Sequence, residues 1–233
     1  MKKDKLKNRP SFRAYVAFWR EEIETRYRHI MKPVARYFAD SGIDPDLMTV
    51  VGCFFNGLAG LVYAQGAFFW AAFVVLIAGL CDTLDGLIAR LTHKQSAHGA
   101  FVDSIMDRYS DLFLFLGMAY FFMSDETLYG FFRHSRIQTG FWPMIWIILA
   151  LSGSYLVSYT RARAEGLGLE CKPGIMQRPE RLVLLILGSW LSALPRAGLL
   201  IFEITLGLLA ILTHLTALQQ IVYIHKRLIA RSK

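Results

Sequence analysis

The chain is poor in the residues that staple or metallate small domains. Its three cysteines, Cys53, Cys81 and Cys171, are an odd number without metal-ligand spacing. They imply no disulfide framework and read as apolar packing residues. Six histidines are present, again with no paired ligand spacing. Only His98, beside Gly99, falls near a candidate site, and it reads as a bystander there. No internal repeat stands out. A signal-peptide pattern is missing too, because the start is charged and the first long apolar run comes after Asp46. Acidic residues are scarce beside basic ones, 18 against 26, for a net charge of +8.

Apolar residues are abundant. In 233 residues, 55% are hydrophobic and the mean hydropathy is +0.38, too apolar for an ordinary soluble domain of this size. A bilayer demands spans of about 20 apolar residues. The pattern predicts an all-α integral membrane protein with six transmembrane helices, near 47–64, 68–88, 99–123, 143–161, 181–194 and 199–223. The fifth is short and ends at Pro195, so its helix either begins in the polar stretch near Arg178 or tilts in a locally thinned bilayer. With six spans, all but four of the 26 Lys and Arg fall on one side. The four are Arg133, Arg136 and Arg196 opposite and Arg108 within a span. The positive-inside rule then puts both termini in the cytoplasm of a multi-pass cell-membrane protein. Five spans would strand the basic C-terminus on the wrong side. Charge that flanks spans points to the membrane surface and not to nucleic acid.

Residues 1–46 form a separate region ahead of the transmembrane domain, 47–233. Phe12, Tyr15, Trp19, Ile23, Tyr27, Met31, Val34 and Phe38 recur at three- or four-residue steps, with Arg13, Arg20, Glu21, Arg26 and Arg28 between them. This is an amphipathic helix suited to the membrane interface, which Pro33 should bend or interrupt. Packing on another protein is the other use of such a helix. The tail 2–9 reads as disordered, and 125–140 as a polar outer loop with solvated Arg133, His134 and Arg136.

Four aspartates interrupt this apolar background. Asp82 and Asp85 are three apart and share a helix face; Asp103 and Asp107 are four apart and share another. Asp111 continues the second face. Ionised carboxylates inside membrane spans mark a polar cavity or an ion site, and hard oxygen ligands suit Mg²⁺ or Mn²⁺. With Gly86, Ala89, Arg90 and Gly99 they complete the pattern D-x2-D-G-x2-A-R-x8-G-x3-D-x3-D. This resembles the signature of the CDP-alcohol phosphatidyltransferases at every fixed position.

The resemblance implies a CDP-linked lipid as donor, either CDP-diacylglycerol or CDP-archaeol. An alcohol attacks the lipid-bearing phosphorus and CMP leaves. It makes Asp82, Asp85, Asp103 and Asp107 the metal ligands. It places Asp82, Asp85, Gly86, Ala89, Arg90 and Gly99 at the CDP-lipid, and it makes Asp107 the general base. Metal ligation and proton abstraction compete for the same Asp107 oxygens, and the sequence does not apportion them. Gly86 would let the nucleotide approach the backbone, Gly99 would let helices approach closely, and Arg90 can pair with a phosphate. A homodimer is also implied. Gly52, Gly57 and Gly60 offer small residues for close packing, within one chain or between two.

Two further blocks concern the acceptor: Ser158-Tyr159-Thr160-Arg161-Ala162-Arg163-Ala164-Glu165 and Gln177-Arg178-Pro179-Glu180-Arg181. They resemble stretches of the phosphatidylinositol-phosphate and archaetidylinositol-phosphate synthases, with Gln177 where those enzymes often carry an acid. By that likeness Ser158, Arg161 and Arg181 would hold an acceptor phosphate, with Arg178 nearby. A phosphorylated polyol, inositol 1-phosphate, is the expected acceptor. The alternatives are transfer to glycerol 3-phosphate, a divalent-cation transporter, and arginines that merely anchor the chain to the membrane. A transporter would spread its acids across the bilayer depth, whereas these cluster beside Gly86 and Arg90.

Overall fold

The structure is a computed structural model, and it describes residues 12–124, 141–171 and 174–231, without the side chains of 12–21, 23 and 24. The tail 2–9, the loop 125–140 and the first apolar side chains of the N-terminal helix lie outside the described residues. Among the described residues seven helices follow in order: α1 (Phe12–Asp40), α2 (Pro45–Ala64), α3 (Phe68–Leu91), α4 (Ala97–Met123), α5 (Phe141–Gly166), α6 (Arg178–Leu191) and α7 (Gly198–Arg231). There is no strand among the described residues.

Local chemistry sets the helix starts. Asp44 caps α2 by accepting the Asp46 N–H at 3.1 Å, and Pro45 supplies a preset first turn. Ser96 caps α4, its Oγ accepting the Gly99 N–H at 2.9 Å. Pro179 opens α6. Gly66 turns the chain between α2 and α3 at φ +79, a left-handed conformation that glycine adopts without strain. The short connection folds α3 back along α2, which also packs on α4. There a Cβ on Gly60 or on Gly117 would strike the backbone of the other helix, so both must be glycine for α2 and α4 to touch.

The larger core lies toward the end of the bundle where α2 meets α3. Tyr63, Phe68, Phe202, Leu206 and Met118 are buried together. The Tyr63 hydroxyl meets Ser189 Oγ at 2.7 Å, so the one polar atom of that ring is satisfied. A smaller cluster of Ala35, Met48, Cys81, Leu84, Leu87 and Ile88 joins α1, α2 and α3 at the other end. The three cysteines are buried and free, as packing residues should be.

Among the described residues four helices, α2, α3, α5 and α7, are long and apolar enough to cross a membrane. Their outer faces expose large apolar side chains such as Phe54, Leu61, Trp70 and Ile204. That much contiguous apolar surface needs a non-aqueous surrounding. The predicted third and fifth spans correspond to helices that fall short by this measure, each for its own reason. α4 carries Asp103, Asp107, Arg108 and Asp111, and α6 has only 14 residues.

α1 continues through Pro33, where the sequence suggested a bend or a break. Packing on both sides of the proline offsets the lost backbone hydrogen bond. Before it, the Tyr27 hydroxyl donates to Thr83 Oγ1 at 3.3 Å. After it, Ala35 is fully buried and Phe38 packs on the same cluster.

Candidate active site

α3 and α4 bring the motif carboxylates together at one end of the bundle. Asp82, Asp85 and Asp103 each offer an oxygen within 4.8 Å of the others. Asp85 is buried, and Asp82, Asp103 and Asp107 are half-buried. The helical steps of three and four that the sequence displays point these residues inward, and α2 supports them from behind. Thr49 donates its hydroxyl proton to Asp85 Oδ2 at 2.7 Å. Gly52 keeps α2 close, because a Cβ there would lie 3.3 Å from Cys81 Cβ. Carboxylates this close repel one another when ionised, so the arrangement calls for positive charge.

Two arginines of α6 supply some of it. Arg178 Nη1 bonds to Asp82 and lies 2.5 Å from Asp107 Oδ1. One turn on, Arg181 Nη2 donates to Asp111 Oδ2 at 3.0 Å, and both residues are buried. Neither guanidinium is fully used: Arg178 Nε and Arg181 Nη1 are buried without a hydrogen-bond partner. Buried N–H groups are costly to leave unpaired, and such exceptions point to a ligand or a strained site.

The remaining expected residues make other contacts. Gly86 accepts the Arg90 Nε–H at its carbonyl, 2.9 Å, so the exposed Arg90 folds back over the glycine. Arg90 also lines a hollow between α1 and α3, together with Lys32, Leu87 and Leu91. Ala89 is half-buried on the same turn. Gly99 faces a side chain: a Cβ there would stand 3.0 Å from Asp46 Oδ1. Ser158 is half-buried on α5, while Arg161 is exposed and 3.9 Å from Glu165 Oε1. Arg178 and Arg181 therefore reach the carboxylates, and Arg161 pairs with its own helix.

Thr49, Asp46 and Thr216 were not apparent as site residues from the sequence. Asp46 Oδ2 lies 3.3 Å from His98 Nδ1 and ties the start of α2 to that of α4. Thr216 Oγ1 accepts the Met176 N–H at 3.0 Å, which anchors the segment before Arg178 to α7. The available signal for Thr49 was a polar residue one turn inside the apolar α2; Thr216, flanked on α7 by Thr213, His214 and Gln219, carried no comparable signal.

The donor set is all carboxylate and enclosed by helices. It fits a hard divalent cation with oxygen preference, and the guanidinium on Asp82 and Asp107 shows that positive charge is accommodated there.

Comparisons with known proteins point to one family. A family profile described as CDP-alcohol phosphatidyltransferase matches residues 43–223. The archaetidylinositol phosphate synthase of Methanothermobacter thermautotrophicus is 34% identical over 206 residues, covering 84% of this chain and 93% of that protein. The crystal structure of Mycobacterium tuberculosis phosphatidylinositol phosphate synthase with CDP-DAG bound superimposes with a TM-score of 0.69 at 29% identity, covering 84% of this chain and 94% of that one. The same enzyme in complex with manganese and citrate gives a TM-score of 0.70 at 28% identity, covering 83% and 88%. Signature, fold and relatives coincide, and the chain belongs to the CDP-alcohol phosphatidyltransferase family.

Proposed function

We propose that this membrane protein synthesises phospholipid by moving the phosphatidyl or archaetidyl group of a CDP-activated lipid onto inositol 1-phosphate, releasing CMP. The observation that carries this reading is the pairing of a carboxylate trio on α3 and α4 with two under-used, buried guanidinium groups on α6. One half suits a metal-bound pyrophosphate, and the other suits an acceptor that brings its own phosphate.

On this reading Asp82, Asp85 and Asp103 hold Mg²⁺ or Mn²⁺, with Asp107 at the edge of the set. When bound, the metal neutralises pyrophosphate charge and stabilises the leaving phosphate. Gly86, Ala89, Arg90 and Gly99 contact the CDP-lipid beside Asp82 and Asp85. Ser158, Arg161, Arg178 and Arg181 hold the acceptor phosphate through charge-assisted bonds. Asp107 takes the acceptor hydroxyl proton as that oxygen bonds to the lipid-bearing phosphorus and the bond to CMP breaks. The two guanidinium groups favour inositol 1-phosphate over free inositol.

The same reading makes α4 and α6 membrane-crossing, for six spans, with α1 at the interface as part of a juxtamembrane region, 1–46, and both termini cytoplasmic. The apolar half of α4, from Leu112 to Met123, supports a crossing despite its charged first half. The protein acts as a homodimer.

The deciding experiment is CMP release by the purified protein with CDP-diacylglycerol or CDP-archaeol and a panel of inositol 1-phosphate, inositol and glycerol 3-phosphate. Inositol 1-phosphate should be preferred, and chelation by excess EDTA should abolish turnover. Equal use of inositol, or preference for glycerol 3-phosphate, rejects the acceptor assignment; CMP release that persists in EDTA rejects the metal.

A further inference from the structure

We infer that the Arg178 guanidinium and the divalent cation compete for the same aspartates, so that metal binding hands Arg178 over to the acceptor phosphate. The inference rests on the proposed reading of the carboxylates as the metal site and concerns how that site is regulated.

Arg178 is not a bystander at the rim. Its Nη1 alone engages Asp82 on α3 and Asp107 on α4, 2.5 Å from the latter, and the side chain is only 15% exposed. Asp82 also belongs to the trio whose oxygens lie within 4.8 Å of one another. A guanidinium and a divalent cation on one carboxylate would stand a few ångströms apart in a poorly solvated site, where like charges repel strongly. Occupancy by one therefore disfavours the other.

The displaced group has somewhere to go. Arg178 Nε and Arg181 Nη1 are buried donors without acceptors, three residues apart on one face of α6. A phosphate placed against that face satisfies both. The backbone does not follow the movement, since Met176 is tied to Thr216 and Pro179 fixes the first turn of α6. Only the side chain swings. Asp111 keeps Arg181 in place meanwhile through the 3.0 Å pair.

Coupling of this kind is reciprocal. Metal tightens acceptor binding, and acceptor tightens metal binding by the same factor. Without the metal, the acceptor must first pull Arg178 from two carboxylates, so it binds poorly before the donor site is charged.

The test uses the full chain in nanodiscs without CDP-lipid. Mn²⁺ binding is read by electron paramagnetic resonance and inositol 1-phosphate binding by calorimetry. In the wild type, saturating Mn²⁺ should tighten inositol 1-phosphate by about tenfold or more, the size expected when charge-assisted bonds are exchanged. Arg178→Gln should bind Mn²⁺ about tenfold more tightly than the wild type and lose the coupling. Arg178→Lys keeps the charge but not the reach to two carboxylates, and its Mn²⁺ affinity should fall between; it decides the matter if the glutamine variant does not fold. Asp103→Asn, outside the grip of Arg178, should lose Mn²⁺ in either background. If Asp103→Asn and Asp85→Asn both bind Mn²⁺ as the wild type does, the carboxylates are not the metal site and the inference falls with that reading. Loss of Mn²⁺ in those two variants, with no gain in either Arg178 variant, keeps the metal site and overturns the competition.

Discussion

Asp103 and Asp107 stand one turn apart on α4 but have different neighbours. Asp103 joins Asp82 and Asp85 in the tight trio, whereas Asp107 lies beside the Arg178 head. That division favours Asp107 as the proton acceptor over Asp107 as a principal ligand. Asp107→Asn should lower turnover by about 10² to 10⁴ while CDP-lipid binding survives, measured by single-turnover kinetics beside a donor-binding assay. Joint loss of donor and metal binding would make it a ligand instead. Asp111 and Arg181 form a buried pair, and removing one member leaves an uncompensated charge worth about 3–5 kcal/mol. Asp111→Ala should therefore destabilise the protein and raise the acceptor KM more than the donor KM, and a double-mutant cycle with Arg181→Ala should be strongly non-additive. Arg161 is exposed and pairs only loosely with Glu165, so solvent screens it. Arg161→Ala should raise the acceptor KM less than Arg181→Ala does. The aspartates were readable in the sequence because helical spacing alone puts them on shared faces. The Arg178–Asp82 contact joins residues 96 apart, and no local pattern announces it.

At the scale of helices, the glycines separate what spacing suggests from what packing requires. Gly52, Gly57 and Gly60 looked equally suited to packing within a chain or between two. Gly60 in fact faces the Phe113 backbone, Gly52 faces Cys81, and Gly57 faces the Phe113 side chain, all inside one chain. Gly117→Ala should force α2 and α4 apart at about 1–3 kcal/mol, seen as a lower thermal unfolding midpoint in detergent. Gly79→Ala, with nothing within 4 Å of its Cβ, should be neutral or stabilising by about 0.5–1 kcal/mol. Periodicity predicted a helix where α1 lies, and apolar runs predicted helices where α2 to α7 lie. It did not foretell that α1 would pass through Pro33, because the packing that holds it comes from α3, far along the chain.

For the whole molecule, the apolar surface and family membership establish a membrane protein, and the charge distribution gives the proposed orientation. Single cysteines placed at Lys94, Arg196 and Lys226 in a chain without its native cysteines should show it. The first and last should label only from the cytoplasm and Arg196→Cys only from outside. Labelling of Arg196→Cys from the cytoplasmic side would mean that α6 does not cross. Of the six spans expected from hydropathy, four correspond to helices long and apolar enough to cross, while α4 departs by its charge and α6 by its length. The carboxylates and their supports occupy α2 to α4, and the proposed acceptor arginines occupy α5 and α6, so each half of the proposed site is contiguous in sequence. Three ion pairs, Arg178 with Asp82, Arg178 with Asp107 and Arg181 with Asp111, cross the junction between Ser124 and Phe141, beside contacts such as Tyr63 with Ser189 and Phe68 with Phe202. A genetic crossover between those positions that preserved these contacts would exchange the proposed acceptor half while inheriting the proposed donor half. Such a division would let a lineage diversify its headgroups without reinventing how it activates its lipids.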